Sequence, residues 1–324
     1  MGHTGTRPGP LHRNIPMTNA APTLGLAGRD DGPSPLLLAT AFATVYLVWG
    51  STFLAIRVIV ETVPPISFVG VRSLVAGVLL LGLARLSGAA LPDRAGWLQG
   101  LVTGGLMFMV GQGALAWAEQ RVASGLAAVM LATTPLWVAL IGWTLGGGRP
   151  TGRVAAGLGL GFAGVVLLTG VDGMGGGLDV AGVAVLQLGA AAWALGTILT
   201  KRRAPASSPA MTGAVQLLGG GVLALPAGGL MGEWPGLPML LHDGDALAAF
   251  AYLVVFGTLV GFGAFSWLVK NCPAERVATY AYVNPVVAIA LGWMVLDETI
   301  GPREGIAAAV VLAGVAVVLT GKKP

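Results

Sequence analysis

Apolar residues fall in about ten runs along the chain, and polar positions collect mostly between them. Each run holds roughly 20 residues, the length at which an α-helix crosses a ~30 Å hydrocarbon core. The runs lie near 36–57, 65–86, 97–118, 122–145, 154–170, 181–200, 210–231, 246–269, 276–296 and 303–320. The pattern predicts an all-α, polytopic membrane protein with ten transmembrane helices. Composition agrees, with 55% of residues hydrophobic and 10% charged, against roughly 25% charged in soluble domains.

Two runs carry polar groups and a proline at mid-depth. One reads Thr279-Tyr280-Ala281-Tyr282-Val283-Asn284-Pro285-Val286-Val287 and the other Thr133-Thr134-Pro135. A proline inside a helix removes one backbone bond and crowds the carbonyl four residues back, that of Ala281 in the later run. A freed carbonyl in a membrane needs protein or a wet cavity around it. Pro135 and Pro285 stand 150 positions apart, as do Gly142-Trp143 and Gly292-Trp293, and Ala163-Gly164-Val165 and Ala313-Gly314-Val315. Trp193 and Lys201 follow Trp49 and Arg57 at an offset of 144. The chain therefore reads as two copies of a five-helix unit. An odd number of spans per unit turns the second copy upside down, and inverted repeats with broken helices around a midplane site mark secondary transporters. The expected units are a disordered tail over 1–35, a first repeat over 36–170 and a second over 179–321.

A pI near 9.6 suggests nucleic acid until the charges are placed. With ten spans, fourteen of the 18 Lys and Arg fall on one side: Arg7, Arg13, Arg29, Arg85, Arg94, Arg149, Arg153, Lys201, Arg202, Arg203, Lys270, Arg276, Lys322 and Lys323. The other side holds Arg57, Arg121 and Arg303 with most of the acids. By the positive-inside rule both termini are cytoplasmic. The basic bias orients the chain in a bilayer, and nucleic acid is not an expected partner. A cleavable signal peptide is not expected, because the first apolar run starts late and reaches full spanning length. The one cysteine, Cys272, allows no internal disulfide, and His3, His12 and His242 show no metal-ligand spacing.

Candidate chemistry sits inside the spans. In the first, Tyr46-Leu47-Val48-Trp49-Gly50-Ser51-Thr52-Phe53 groups aromatic, glycine and hydroxyl residues. Close helix packing and a cavity wall lined by Trp49, Ser51 and Thr52 are both open readings. Arg72 lies about two turns into the second span. A charge at that depth is a functional candidate, although snorkelling or pairing with a carboxylate such as Glu61 also explains it. Further candidates for a substrate cavity are Gln112 and Trp117, then Met130, Thr133, Thr134 and Pro135. The second repeat adds Gln187, Trp193, Phe265, Trp267, Tyr280, Tyr282, Asn284 and Pro285. Asn284 shares a helix face with Tyr280 at i−4; it either lines a cavity or caps the carbonyls that Pro285 frees. Gly159-Leu160-Gly161-Phe162-Ala163-Gly164 matches the dinucleotide fingerprint formally, but lacks the strand and the later acidic residue. Gly157 and Gly161 fit helix packing instead.

These residues carry a resemblance to the EamA family of the drug/metabolite transporter superfamily, and within it to the YedA-like branch. It rests on Tyr46–Phe53, Val71-Arg72 with Ala76-Gly77, Ser124-Gly125-Leu126-Ala127-Ala128 through Pro135, and Tyr280–Val287, and covers residues 36 to 321. The resemblance implies ten helices in two inverted five-helix repeats around a central cavity. It also implies export of small metabolites, amino acids or amphipathic drug-like compounds across the bacterial inner membrane. It leaves the substrate open. The fifth and tenth helices of such proteins pack away from the cavity.

What drives transport is narrowed by absence. There is no Gly-x4-Gly-Lys-Ser/Thr loop and no soluble domain to house a nucleotide, so ATP-driven transport and a cofactor are not expected. Every Asp and Glu lies at a span end or in a loop. Glu119 is nearest a cavity mouth. Either it relays protons, or transport is facilitated diffusion or exchange. The expected partners are a small-molecule substrate and the bilayer, with a homodimer left open. A membrane enzyme would need clustered His, Asp or Cys, and the Asp297-Glu298 pair reads as interfacial charge ending the ninth span. A structural or receptor-like protein would not need two matched broken helices.

Overall fold

The computed structural model describes residues 1–2, 34–146, 149–169, 179–202, 208–272, 277 and 280–319. Most of the expected tail, Asp172, Arg203, Arg276, Thr279, Lys322, Lys323 and the side chains of Lys270 and Tyr282 lie outside it. The described residues form helices and turns. In chain order the main helices are α1 (Pro35–Val60), α2 (Pro65–Leu86), α3 (Arg94–Ala118), α4 (Ser124–Thr144) and α5 (Gly152–Thr169). They are followed by α6 (Val180–Arg202), α7 (Pro209–Leu230), α8 (from Gly244 to Asn271), α9 (Tyr280–Leu296) and α10 (Pro302–Leu319). Seven helices among the described residues are long and apolar enough to cross a membrane; those within α5, α9 and α10 are shorter.

Local chemistry sets the boundaries. Proline opens α1, α2 and α7, where its missing N–H is no loss. The side chains of Ser34, Asp93 and Ser208 accept backbone N–H bonds at the starts of α1, α3 and α7. Two helices are wound unevenly: α3 contains a π segment at Gly105–Gln112, and α8 contains another at Leu253–Val260. Nothing in the apolar pattern predicted either.

Packing pairs α2 with α7, α5 with α10, and α1 with α8 and α9, while α6 packs on α3 and α4. The α5–α10 crossing needs glycine: a Cβ on Gly157 would lie 2.8 Å from the Gly314 carbonyl, and one on Gly164 would lie 2.9 Å from that of Ala307. Gly161 and Gly164 of the formal dinucleotide fingerprint are therefore packing positions against Leu136 and α10, while Gly159 faces open space. A core of Ile56, Ile59, Phe68, Met130, Leu136 and Leu186 runs between α1, α2, α4 and α6. Trp143 and Trp293, the paired Gly-Trp tryptophans, are exposed on the outside of the bundle.

Candidate functional site

A winding fault in α8 builds the first polar cluster. A π turn leaves a backbone carbonyl without its ordinary helical donor, and such turns recur at functional sites. Here Trp49 of α1 donates its indole N–H to the Gly257 carbonyl, 3.1 Å away. The Trp49 ring lies 5.0 Å from Phe265 and meets Tyr280 edge-on at 5.3 Å, so α1, α8 and α9 share an aromatic triad. The Ser51 and Tyr252 hydroxyls are 2.6 Å apart, and Thr52 bonds the Trp49 carbonyl. Trp267 is half-buried farther along α8, packed on Ala41, Val45 and Leu268.

Asn284 lies one turn beyond Tyr280, against α1. A Cβ on Gly50 would come within 3.3 Å of the Asn284 backbone carbonyl. The side chain is buried and its Oδ1 has no hydrogen-bond partner among the described residues. An amide oxygen held out of water without a donor is costly, and natural structures leave few such atoms without a role. Pro285 is buried beside it.

The second cluster is satisfied from within. Pro135 breaks α4 between Leu131 and Thr134. The carbonyl it deprives, that of Leu131, accepts a bond from Thr134 Oγ1 at 2.6 Å. Gln187 of α6 reaches across: its Oε1 accepts from Thr133 Oγ1 at 3.1 Å and from Trp137 Nε1 at 3.0 Å. Its Nε2 donates to the Met130 carbonyl at 3.3 Å and lies 3.7 Å from Met130 Sδ. Trp137, absent from the sequence-based candidates, is thus part of the cluster. So is Tyr252 in the first one; each reads in sequence as one more apolar-face aromatic.

The remaining candidates separate. Arg72 donates to Gln112 Oε1 at 3.3 Å, while Glu61, the carboxylate considered as its partner, pairs with Arg57 at 3.6 Å. Trp193 packs edge-on against Phe108 of the α3 π segment at 5.7 Å. Trp117 lies under the Arg121 guanidinium, 4.0 Å from its carbon to the ring centre. It lines an apolar cleft of about 250 Å³ with Ile66, Met109, Leu188 and Met231, on the outside of the bundle.

One end of the bundle, the far end from the α1 start, is closed by carboxylates. Glu233, just past α7, accepts from the Ile66 and Ser67 backbone N–H groups at 3.3 and 2.6 Å, capping α2. Glu298, just past α9, accepts from the Ser124 N–H and hydroxyl at 2.8 Å each and from the Gly125 N–H at 3.4 Å, capping α4. Each follows a residue in left-handed conformation, Gly232 or Asp297, which turns the chain back toward the neighbouring helix. Glu298 is therefore a half-buried cap bonded to the start of α4 rather than free interfacial charge; helix N-termini attract such anions. Asp243 joins the closure. It caps the start of α8 through the Ala246 and Asp245 N–H groups and accepts from Thr62 Oγ1 at 2.7 Å. Those bonds, led by that of Ala246, hold its carboxyl below the usual range.

Comparison with known proteins adds identity to this geometry. Two stretches, residues 36–170 and 180–320, match the EamA-like transporter family. "Uncharacterized inner membrane transporter YedA" of Escherichia coli (strain K12) is 35% identical over 290 residues, 89% of this chain and 92% of that one. A WAT1-related chloroplastic protein of Arabidopsis thaliana is 28% identical, over 88% and 70% of the two chains. An Escherichia coli protein named as a probable amino-acid metabolite efflux pump is 25% identical, over 88% and 93%. A protein of known crystal structure shares the fold, with a TM-score of 0.59 at 21% identity, over 87% of this chain and 96% of that one. By sequence over nearly its whole helical length, the chain belongs to the EamA-like transporter family.

Proposed function

We propose that the chain is a secondary transporter of the bacterial inner membrane, exporting small metabolites such as amino acids or amphipathic drug-like compounds. Transport runs by alternating access through a central cavity between two inverted five-helix repeats. The Oδ1 of buried Asn284, which has no hydrogen-bond partner among the described residues and lies one turn from Tyr280 of the Trp49–Phe265–Tyr280 triad, is the observation that carries this reading. A polar acceptor and aromatic faces at a broken helix are what an amphipathic substrate with a charged or amide N–H would need.

The arrangement of the helices supports the inverted repeat. The two π segments start at Gly105 and Leu253, an offset of 148, close to the 150 of the prolines. Trp49 and Trp193 each pack on the π segment of the other half. The Gln187 cluster on α4 and α6 is then the counterpart of the Asn284 cluster on α9 and α1. In this reading the far end faces the periplasm and both termini are cytoplasmic.

The test is direct: purified protein in liposomes loaded with labelled amino acids, scored against empty liposomes. Saturable release above the control is expected for at least one amino acid or amphipathic amine. Release that equals the control across a broad panel overturns the reading.

A further inference from the structure

Glu119 is an ionisable side chain that, among the described residues, neither a side-chain helix cap nor an ion pair accounts for. It lies in the turn between α3 and α4, past the end of the span, and is 0% exposed. Neither carboxylate oxygen has a hydrogen-bond partner among the described residues. The charged groups around it come from three elements. Arg57 of α1 bonds the Glu119 backbone carbonyl and spends its Nε on Glu61. Glu298, at the end of α9, is the neighbouring anion, with its oxygens taken up by Ser124 and Gly125. Arg121, in the same turn, pairs with Asp179 at the start of α6, 3.3 Å away.

A carboxylate out of water needs donors or a paired cation, and among the described residues no donor or ion pair reaches either oxygen of this one. Burial first, then the charge of Glu298, pushes its carboxyl well above the usual range; Arg57 pulls the other way. Next to Glu119, Gln120 Nε2 bonds the Val60 carbonyl at 3.2 Å, and Glu298 ties the end of α9 to the start of α4; the turns at this end of the bundle are joined further by Thr62 to Asp243 and by Glu233 on α2. Parting those turns would admit water to Glu119.

We propose that Glu119 is a proton-binding site that couples closure of the far end to protonation. With the far end closed the carboxyl holds its proton. When the turns part, the O–H bond breaks, the proton passes to water and the hydrated carboxylate keeps the far end open. The sign follows from burial: the neutral form favours the closed arrangement, so acid closes the far end and alkali opens it. In a transporter with the far end outward, external acid would then drive the return to the inward-facing state. That consequence rests on the alternating-access reading, but the proton site is measured without substrate, so the two can fail separately.

The full chain in nanodiscs, with Cys272→Ser and spin labels at Leu241→Cys and Thr299→Cys, reports the distance across the far end by pulsed electron resonance. Both label positions are exposed. Moving from mildly acidic to mildly alkaline buffer should shift the population from short, narrow distances to long, broad ones. Glu119→Gln, the neutral isostere, should lose the shift and stay short in both buffers; Glu119→Asp should retain it. Infrared spectra of the protein with native Glu119 should show a protonated carboxyl band that disappears in step with the distance change, whether or not Glu119→Gln folds. A distance distribution indifferent to pH, a shift that survives Glu119→Gln, or no such band would each overturn the proposal.

Discussion

Trp49 Nε1 donates to the Gly257 carbonyl across 3.1 Å, joining α1 to the π turn of α8. The bond reaches a carbonyl inside the π segment of α8, and lipid offers no substitute donor. Trp49→Phe keeps most of the ring contacts and deletes the bond. Side-chain hydrogen bonds between membrane helices average ~0.6 kcal/mol, so a loss of that order is expected in unfolding free energy. Trp49→Ala, which also strips the contacts with Phe265 and Tyr280, should cost several times more. Equal stability of Trp49→Phe and the parent would show the bond to be idle.

The caps at the far end predict a different pattern. Glu298→Ala removes three acceptor contacts from the start of α4, and loss of an N-cap typically costs about 1 kcal/mol. Hydrogen exchange at Ser124 and Gly125 should quicken, with little change at Ile66 and Ser67. Glu233→Ala should do the reverse. Asp297→Asn should be silent, because asparagine tolerates the left-handed backbone at φ 52°. Exchange that quickens at both helix starts in both variants would mean the caps act as one unit.

Asp243 titrates in the opposite sense from Glu119. Its carboxyl is held low by donors at the start of α8, so the cap is intact in the neutral range and is lost as pH falls through that lowered value. Exchange at Asp245 and Ala246, corrected for the intrinsic rate, should rise on acidification. Asp243→Asn should keep part of the cap and flatten the pH response. A flat response in the native protein would show that these bonds do not depend on the carboxylate charge.

The hydrophobic runs, the paired prolines and the family match were all legible in the sequence, because each depends on local composition or on spacing along the chain. The π segments were not. Gly105–Gln112 and Leu253–Val260 are mostly apolar and glycine-containing like the rest of their spans, and winding depends on which neighbours can donate to the carbonyls it displaces. Glu298 was misread for a related reason: its role is set by a helix start 174 residues earlier in sequence. Thr134 and Asn284 hold matching positions before the two prolines, yet only the structure separates them, since one hydroxyl finds a carbonyl and one amide oxygen finds no donor among the described residues.

That difference makes the sharpest test. Thr134 Oγ1 donates to the carbonyl that Pro135 frees, at 2.6 Å, so Thr134→Val removes a made bond and should lower thermal stability by about 1 kcal/mol. Asn284 Oδ1 is buried with no donor among the described residues. Its deletion in Asn284→Ala removes a desolvated group rather than a made bond at that atom, and stability should stay level or rise slightly. Transport should move the other way. If Asn284 supplies the acceptor for substrate, Asn284→Ala should lose flux or change substrate range while remaining well expressed and inserted. Thr134→Val should retain flux in proportion to the folded protein. The measurement is thermal unfolding in detergent beside liposome flux, on the same preparations. A marked loss of stability in Asn284→Ala would assign the residue to capping the broken helix. Normal flux of every substrate by a stable Asn284→Ala protein would remove it from the site altogether.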